Sequence, residues 1–372
     1  MVEIYVGLMS GTSMDGVDGV LLDFSADSPC VTHAASVPMP DALRAELMAL
    51  NSVGNDELAR AALAANELTR LYSTVVTDLL AQSGRTAKDI RAIGAHGQTV
   101  RHQPSLGFTL QLNNASLLAE LTGIDVVADF RSRCVAAGGQ GAPLAPFFHA
   151  AMFSRPTECV AVLNLGGVSN LTVLPPTQSG AEEGLIGFDC GPGNALMDFW
   201  CQKHLGKAYD ESGAWAASGQ IHQNLLKVFL AEPYFALKPP KSTGRDLFNP
   251  DWFMAKLNIA GVGTAPPEDI QATLCELTTQ SCVRAVNSFA PKAVELLICG
   301  GGAYNGHLVR SLQNSLAECS VRSSTENGIP PLQVEAAAFA WLARKTICRE
   351  ALPLASTTGA KGSRILGCVY PA

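Results

Sequence analysis

The sequence lacks several signatures that would have assigned it quickly. It contains no G-x-x-x-x-G-K-[ST] segment, so a P-loop nucleotide site is disfavoured. It has no H-E-x-x-H, and its 11 cysteines include no C-x-x-C pair, so neither a zinc centre nor a disulfide framework is expected. Cysteines such as Cys159, Cys299 and Cys348 lie in apolar stretches and read as buried, reduced thiols. No apolar run approaches the roughly 18 residues of a membrane span, and Met1-Val2-Glu3 lacks the basic start of a signal peptide. A cytoplasmic chain with no membrane partner is the expectation. Charge is scarce, at 16% of residues, and acidic on balance, with 26 Lys and Arg against 33 Asp and Glu. Without a basic stripe, nucleic acid is not an expected partner.

Apolar residues, by contrast, make up 47% of the 372 positions, enough for two cores, and the length also favours two domains. Strand-like and helix-like segments alternate, which indicates α/β layers. Leu58, Leu63, Leu68, Leu71, Val75 and Leu79 recur at helical spacing. Gly138, Gly139, Gly141, Pro143 and Pro146 crowd one stretch, which sets the expected domains at residues 1–135 and 136–372. A final helix over 335–349 and a final strand over 363–369 could pack back toward the first domain. The stretch 233–250 reads as a variable, Pro-rich connection.

Three glycine-rich turns stand out. The first, within residues 7–18, joins two apolar strands and contains Gly11, Thr12, Ser13, Met14, Asp15, Gly16, Val17 and Asp18. Its glycines permit close backbone approach and its backbone N–H groups can form an anion nest. A carboxylate beside a phosphate makes sense only with a cation present, which suggests a Mg-nucleotide. An ordinary Gly/Ser/Asp hairpin turn is the competing reading. The second turn, Gly166-Gly167-Val168-Ser169-Asn170, repeats the strand–turn–strand unit half a chain later, like a duplicated domain. The third, Gly300-Gly301-Gly302 through Asn305, joins a strand to a helix with spacing G-x-G-x-x-x-G, which is not the dinucleotide fingerprint.

In this order the turns resemble the two phosphate motifs and the adenosine motif of the actin and sugar-kinase superfamily. Together with His96-Gly97-Gln98-Thr99, Asp129-Phe130-Arg131, Asp189-Cys190-Gly191-Pro192-Gly193-Asn194 and Glu335-Ala336, the chain more narrowly resembles the anhydro-N-acetylmuramic acid kinase family over nearly its whole length. The resemblance implies an α/β, two-domain actin-like ATPase fold, built from duplicated ribonuclease H-like domains with a central cleft. It implies ATP and Mg2+ as cofactors and a homodimer. It further implies hydrolytic opening of 1,6-anhydro-N-acetylmuramic acid with phosphorylation of O6, in peptidoglycan recycling. The direct metal ligands stay unknown.

On its own residues, Asp189 follows an apolar strand and precedes Gly191-Pro192-Gly193, a place that suits a general base or a carboxylate that caps local N–H groups. With the resemblance, Asp189 is the expected catalytic base. Glu335 falls in the first turn of a helix, where the dipole alone favours an acid; the resemblance places it near the sugar. Gln98, Thr99, Asp129 and Arg131 follow strand ends, where open α/β sheets collect ligands, and Arg131 could pair a carboxylate at two points. His96 reads equally as a sugar contact or a structural histidine. The rival functions are an ordinary sugar kinase acting on a free hydroxyl, and a nucleotide-gated sugar-binding protein.

Overall fold

A computed structural model describes residues 3–11, 14–26, 29–179, 184–244 and 247–372. The chain forms two compact units, Met1–Phe148 together with Gly328–Ala372, and His149–Asn327.

The first unit begins with β1 (Ile4–Met9), β2 (Gly16–Asp23) and β3 (Cys30–Pro38), followed by β4 (Ala92–Ala95), the hairpin β5 (Gln98–Gln103) and β6 (Phe108–Leu112), and β7 (Val126–Ala128). The second holds β8 (Cys159–Leu165), β9 (Val168–Leu174), β10 (Ile186–Pro192), β11 (Ala293–Cys299) and β12 (Ser320–Ser323). The chain then returns to the first unit as helix Val334–Ile347, the short strands β13 (Leu352–Pro353) and β14 (Ser363–Arg364), and β15 (Cys368–Tyr370).

The two main sheets share one plan. The first runs β3-β2-β1-β4-β7 with β15 added at its edge; the second runs β10-β9-β8-β11-β12. In both, the first three strands are antiparallel and the last two join the central strand in parallel. The connections from β1 to β2 and from β8 to β9, where the glycine-rich segments lie, therefore occupy equivalent places, each linking the central strand to its antiparallel neighbour. This is a duplicated ribonuclease H-like fold, the architecture of actin-like ATPases and sugar kinases.

The central strand β1 is buried on both faces, as a strand between helical layers must be. On one face, helix Glu57–Ser83 sets Val75 and Leu79 against Gly19. On the other, Gly7 and Gly94 stand side by side in register, and the backbone of helix Val334–Ile347 presses onto both. A Cβ at Gly7 would strike the Ala336 carbonyl, and one at Gly94 the Phe339 carbonyl. The second unit packs helix Pro267–Phe289 through Leu274, Cys282 and Val286 into a core that includes Leu163, Leu171 and Phe188.

Several expectations are corrected. The first unit extends to Phe148, past the expected boundary at 135/136; residues 328–372 also belong to it, which is the packing back that the sequence left open for the last helix and strand. Hydrogen bonds explain this: Gln140 N donates to Thr358 O, and Lys361 N donates to Ala137 O, which tie the glycine-rich stretch to the C-terminal segment. The strand expected over 363–369 is two strands in different sheets, β14 and β15, broken before Gly367 with its φ of 86°. Leu58 and Leu63 lie exposed outside the apolar stripe that Leu68, Val75 and Leu79 bury. Cys348 is exposed and Cys159 half-buried, because each sits near the end of its element; Cys299 is buried as expected.

The glycine contacts give a direct stability test. Gly94→Ala must displace helix backbone rather than a flexible side chain, and overpacking of this kind costs about 1–3 kcal/mol. Gly263→Ala, where a Cβ meets nothing within 4 Å, serves as the control. Urea unfolding is expected to show a lowered midpoint for the first variant and one within about 0.5 kcal/mol of the parent for the second.

Candidate functional site

The polar row of the second unit starts from strand register. Asn164 on β8 pairs with Asn170 on β9, and Asn170 pairs with Asp189 on β10. Residues paired directly across strands project to the same face, so these three side chains line up across the sheet. The pairing slips after Asp189, where Cys190 is the extra residue. A bulge at this point re-aims the strand beside the row.

Asp189 is fixed from outside the sheet by the segment that reads as a variable connection. Thr243 N donates to Asp189 Oδ2 at 2.9 Å. Asp189 N donates to the Lys241 carbonyl at 3.3 Å, and the Tyr234 hydroxyl donates to the Asp189 carbonyl at 2.8 Å. Burial pushes the Asp189 carboxyl up to about 6, against the opposing pull of the Thr243 N–H and of Lys241. A carboxyl in that range is ionised at neutral pH and basic enough to accept a proton, as a general base requires.

The glycine turns of this unit interlock. Gly166 O accepts from Asn194 N at 2.8 Å and Gly167 O from Gly193 N at 3.0 Å. Asn194 precedes helix Ala195–Leu205 but reaches across to donate from Nδ2 to Leu165 O at 2.9 Å, so its side chain braces the turn and does not cap the helix. Gly300 holds φ 77°, and a Cβ there would strike Asn164 Oδ1. Gly301 and Gly302 continue as a single helical turn, and a Cβ at Gly302 would lie 2.5 Å from Leu165 Cβ. The side chain of Asn305 accepts from Leu308 N at 3.0 Å and caps helix Gly306–Ser315, so it serves the fold. Gly167 is exposed, and a Cβ there would meet nothing nearer than 3.6 Å, which leaves open backbone that a phosphate could approach.

In the first unit, polar groups gather beyond the carboxyl ends of the parallel strands: Ser10 after β1, His96 and Gln98 after β4, Asp129 and Arg131 after β7. His96 Nε2 accepts from Arg131 Nε at 3.1 Å and lies 3.0 Å from Arg131 Nη2, while Arg131 Nη1 donates to Gly141 O at 2.8 Å. Burial and the Arg131 charge hold His96 far below its usual range, so its ring is neutral. His96 is thus the residue that orients Arg131, whose own pKa burial lowers to about 10, against the opposing pull of Glu335. Ser10 Oγ donates to Gln98 Oε1, and both residues are buried. Gln98 Nε2 is buried without a partner among the described residues. Such a donor is costly to leave unmet and suits a ligand oxygen.

Glu335 lies in the first turn of helix Val334–Ile347. Desolvation raises its carboxyl, Arg131 lowers it and Asp18 raises it. Asp18 is itself raised by burial and by Asp15. Thr99 Oγ1 accepts from Gln111 Nε2 at 3.2 Å, and Asp129, at φ 57°, accepts from Ser132 N at 3.3 Å. In the first glycine turn, Met14 N donates to Gly11 O at 3.1 Å; Asp15 is exposed and Gly16 opens β2. The Met14 and Val17 side chains belong to the core, so only their backbone could meet a ligand. Thr12 and Ser13 lie outside the described residues. Among the described residues no group of three or more His, Cys, Asp or Glu is placed to hold a metal ion.

Ser10, Asn164 and Asn194 lie in the sequence motifs without having been assigned a site role, and Tyr234, Lys241 and Thr243 were missed altogether. Asn164 carried a signal, as a polar residue closing an apolar strand. Tyr234, Lys241 and Thr243 carried none, because a chain reversal brings them to Asp189.

Comparison with known proteins gives a consistent result. A family profile described as anhydro-N-acetylmuramic acid kinase matches residues 3–372. A protein of that description from Variovorax paradoxus is 59% identical over 374 residues, covering 100% of this chain and 99% of the relative. One from Ralstonia nicotianae is 53% identical over 374 residues, covering 100% and 98%. Among solved structures, the activator of the 2-hydroxyisocaproyl-CoA dehydratase from Clostridium difficile with bound ADPNP is similar at 14% identity, with a TM-score of 0.47 over 93% of this chain and 97% of that one.

The raised Asp189 carboxyl has a stability consequence. Its folded pKa, about 6, lies above the ordinary value of 3.8, so ionising it weakens the fold as pH rises through that window. Asp189→Asn removes the cost and keeps an acceptor for Thr243 N. The variant is expected to gain on the order of 1–2 kcal/mol against urea at pH 7, after discount for partial exposure, with the gain disappearing by about pH 4. A constant difference across that range would contradict the assignment.

Proposed function

The chain belongs to the anhydro-N-acetylmuramic acid kinase family, and on that premise we propose that it uses ATP and water to convert 1,6-anhydro-N-acetylmuramic acid into N-acetylmuramic acid 6-phosphate and ADP. The observation that carries the reading is Asp189. It is a carboxylate at the end of a polar row, raised toward neutrality and held rigidly by Thr243 N–H, beside a strand bulge and interlocked glycine turns.

The roles follow from the chemistry. Asp189 takes a proton from a water whose oxygen adds to the anomeric carbon. The bond from that carbon to O6 breaks, and O6 takes the γ-phosphoryl group as ADP leaves. Open backbone at Gly166 and Gly167, with Asn170 beside it, suits the phosphates, as do residues 11–18 of the first turn; Gly300, Gly301 and Gly302 line the nucleotide. Arg131, oriented by His96, suits the lactyl carboxylate. The free donor of Gln98 and the groups of Thr99, Asp129 and Glu335 suit the sugar's oxygens. Glu335, whose carboxyl interacts with Arg131, is the second carboxylate assigned to the reaction.

Mg2+ fits this donor set as an ion carried by nucleotide phosphates with one or two carboxylates, since the described residues offer no protein cage. Asp15 in the first turn and Asp18 near the start of β2 are the carboxylates available, and the ion would supply charge neutralisation of the phosphates. The same reading gives a place in peptidoglycan recycling, cytoplasmic residence and a homodimer, the last open to sedimentation analysis. No described helix is long and apolar enough to cross a membrane.

The reaction is tested with MgATP and the anhydrosugar in ¹⁸O-labelled water, read by mass spectrometry. Label on the anomeric carbon, and none in the phosphate, is expected. ADP release with free sugars but no product from the anhydrosugar would instead identify an ordinary sugar kinase. Silence with every sugar would favour a nucleotide-gated sugar-binding protein. Asp189→Asn is expected to bind nucleotide normally and to lose about 10²- to 10⁴-fold in turnover.

A further inference from the structure

The strap from Pro233 to Thr243 contacts Asp189 at its amide, its carbonyl and its carboxylate, and Lys241 stands at its centre. The Lys241 carbonyl accepts from Asp189 N at 3.3 Å. Lys241 Nζ donates to the Tyr234 carbonyl at 3.4 Å and lies 4.6 Å from the centroid of the Tyr234 ring. The Tyr234 hydroxyl in turn donates to the Asp189 carbonyl at 2.8 Å. The ammonium group also stands 5.8 Å from the centroid of the Phe188 ring, on the residue before Asp189. One side chain thus fastens the strap to itself, while its charge faces the strand that carries the base.

We propose that Lys241 is a positioning residue for Asp189, clamped on the Tyr234 carbonyl and ring so that a fixed positive charge keeps the base ionised and the strap closed on β10. The inference rests on Asp189 acting as the base and adds a residue that tunes it. The geometry makes this an electrostatic role as well as a packing one. Half-buried, the Lys241 amine is held below its usual range by desolvation, and the Asp189 carboxylate opposes that shift. Among the described residues, the other titratable groups around Asp189 do not supply a positive charge. Cys190, beside it on β10, is pushed far up by its hydrogen bond with Cys282 and by burial. Cys282 faces it from helix Pro267–Phe289, and Tyr234 contributes a phenol. Among the described residues, Lys241 is the cation acting on Asp189.

The test pairs two readouts on the full-length protein. ¹³C NMR of protein labelled at aspartate follows the Asp189 carboxyl, its signal assigned by its loss in Asp189→Asn. The pH dependence of kcat/KM follows its use. In Lys241→Met the Asp189 titration is expected to move up by about 0.5–1 unit, the size of a partly screened opposite charge. The acid limb of kcat/KM should move to higher pH by the same amount, so that the deficit is largest in acid and shrinks as pH rises. Lys241→Arg, which keeps the charge, should return both toward the parent and shows that the strap tolerates change at this position. An unmoved Asp189 titration in Lys241→Met overturns the proposal. A titration that moves while the kcat/KM limb stays fixed upholds the action of Lys241 on Asp189 and overturns the assignment of Asp189 as base.

Discussion

Backbone-to-backbone contact between helix Val334–Ile347 and the paired glycines of β1 and β4 is the constraint on which the first unit depends. Gly7 and Gly94 are neighbours in register, and the Ala336 and Phe339 carbonyls occupy the space their side chains would need. The helix can approach this closely only because two adjacent strands are bare at the same level. It comes from the far end of the chain, so the first unit is incomplete until residues 328–372 have been added. The contact also fixes Glu335, one residue before Ala336, at the sheet end where Arg131 and Asp18 shape its ionisation. Close packing and candidate chemistry are thus set by one docking event.

The polar groups of the site obey a different rule. Burial makes every unpaired charge or donor expensive, so the fold neutralises or pairs what it can. His96 is left neutral and serves Arg131 as an acceptor; Ser10 is spent on Gln98. What stays uncompensated is then informative. Gln98 keeps a buried donor without a partner, and Asp189 keeps a carboxyl that folding would prefer protonated. Both weaken the fold, and both are groups that the proposed reaction would use. Active sites commonly keep such groups at the expense of stability.

The duplicated sheets show how one topology serves different ends. Each places a glycine turn between its central strand and the antiparallel neighbour, yet the two turns carry different chemistry. The first contains Asp15 and is followed on β2 by Asp18; the second contains no acid and is braced by Gly193 and Asn194. The third antiparallel strand diverges as well. β10 is bulged after Asp189 and covered by a strap, whereas the corresponding β3 is half exposed and shifts register only where it pairs the interior of β2.

Much of this was legible in the residues. The three glycine turns and the alternation of strands and helices are local features, because turn chemistry and side-chain periodicity act over a few residues; Asp189, expected at a strand end, lies instead in the middle of β10, where the strand continues past it through a bulge. The internal duplication was visible for the same reason, as a repeated strand–turn–strand pattern, and the resemblance carried by those motifs gave the fold class. The sequence could not reveal that residues 136–148 stay with the first unit, since hydrogen bonds to Thr358 and Lys361 decide this from more than 200 positions away. Nor could it reveal that Asn305 caps a helix, that Asn194 braces a turn, or that His96 is spent on Arg131. It missed Tyr234, Lys241 and Thr243 altogether, because a Pro-rich stretch has no periodicity and acquires meaning only where the chain folds back on Asp189. Local backbone preference wrote the turns and strands into the sequence by itself. Which charge faces which carboxyl, and which donor is left free, were decided only by tertiary packing, since burial and long-range pairing exist only once the chain has closed.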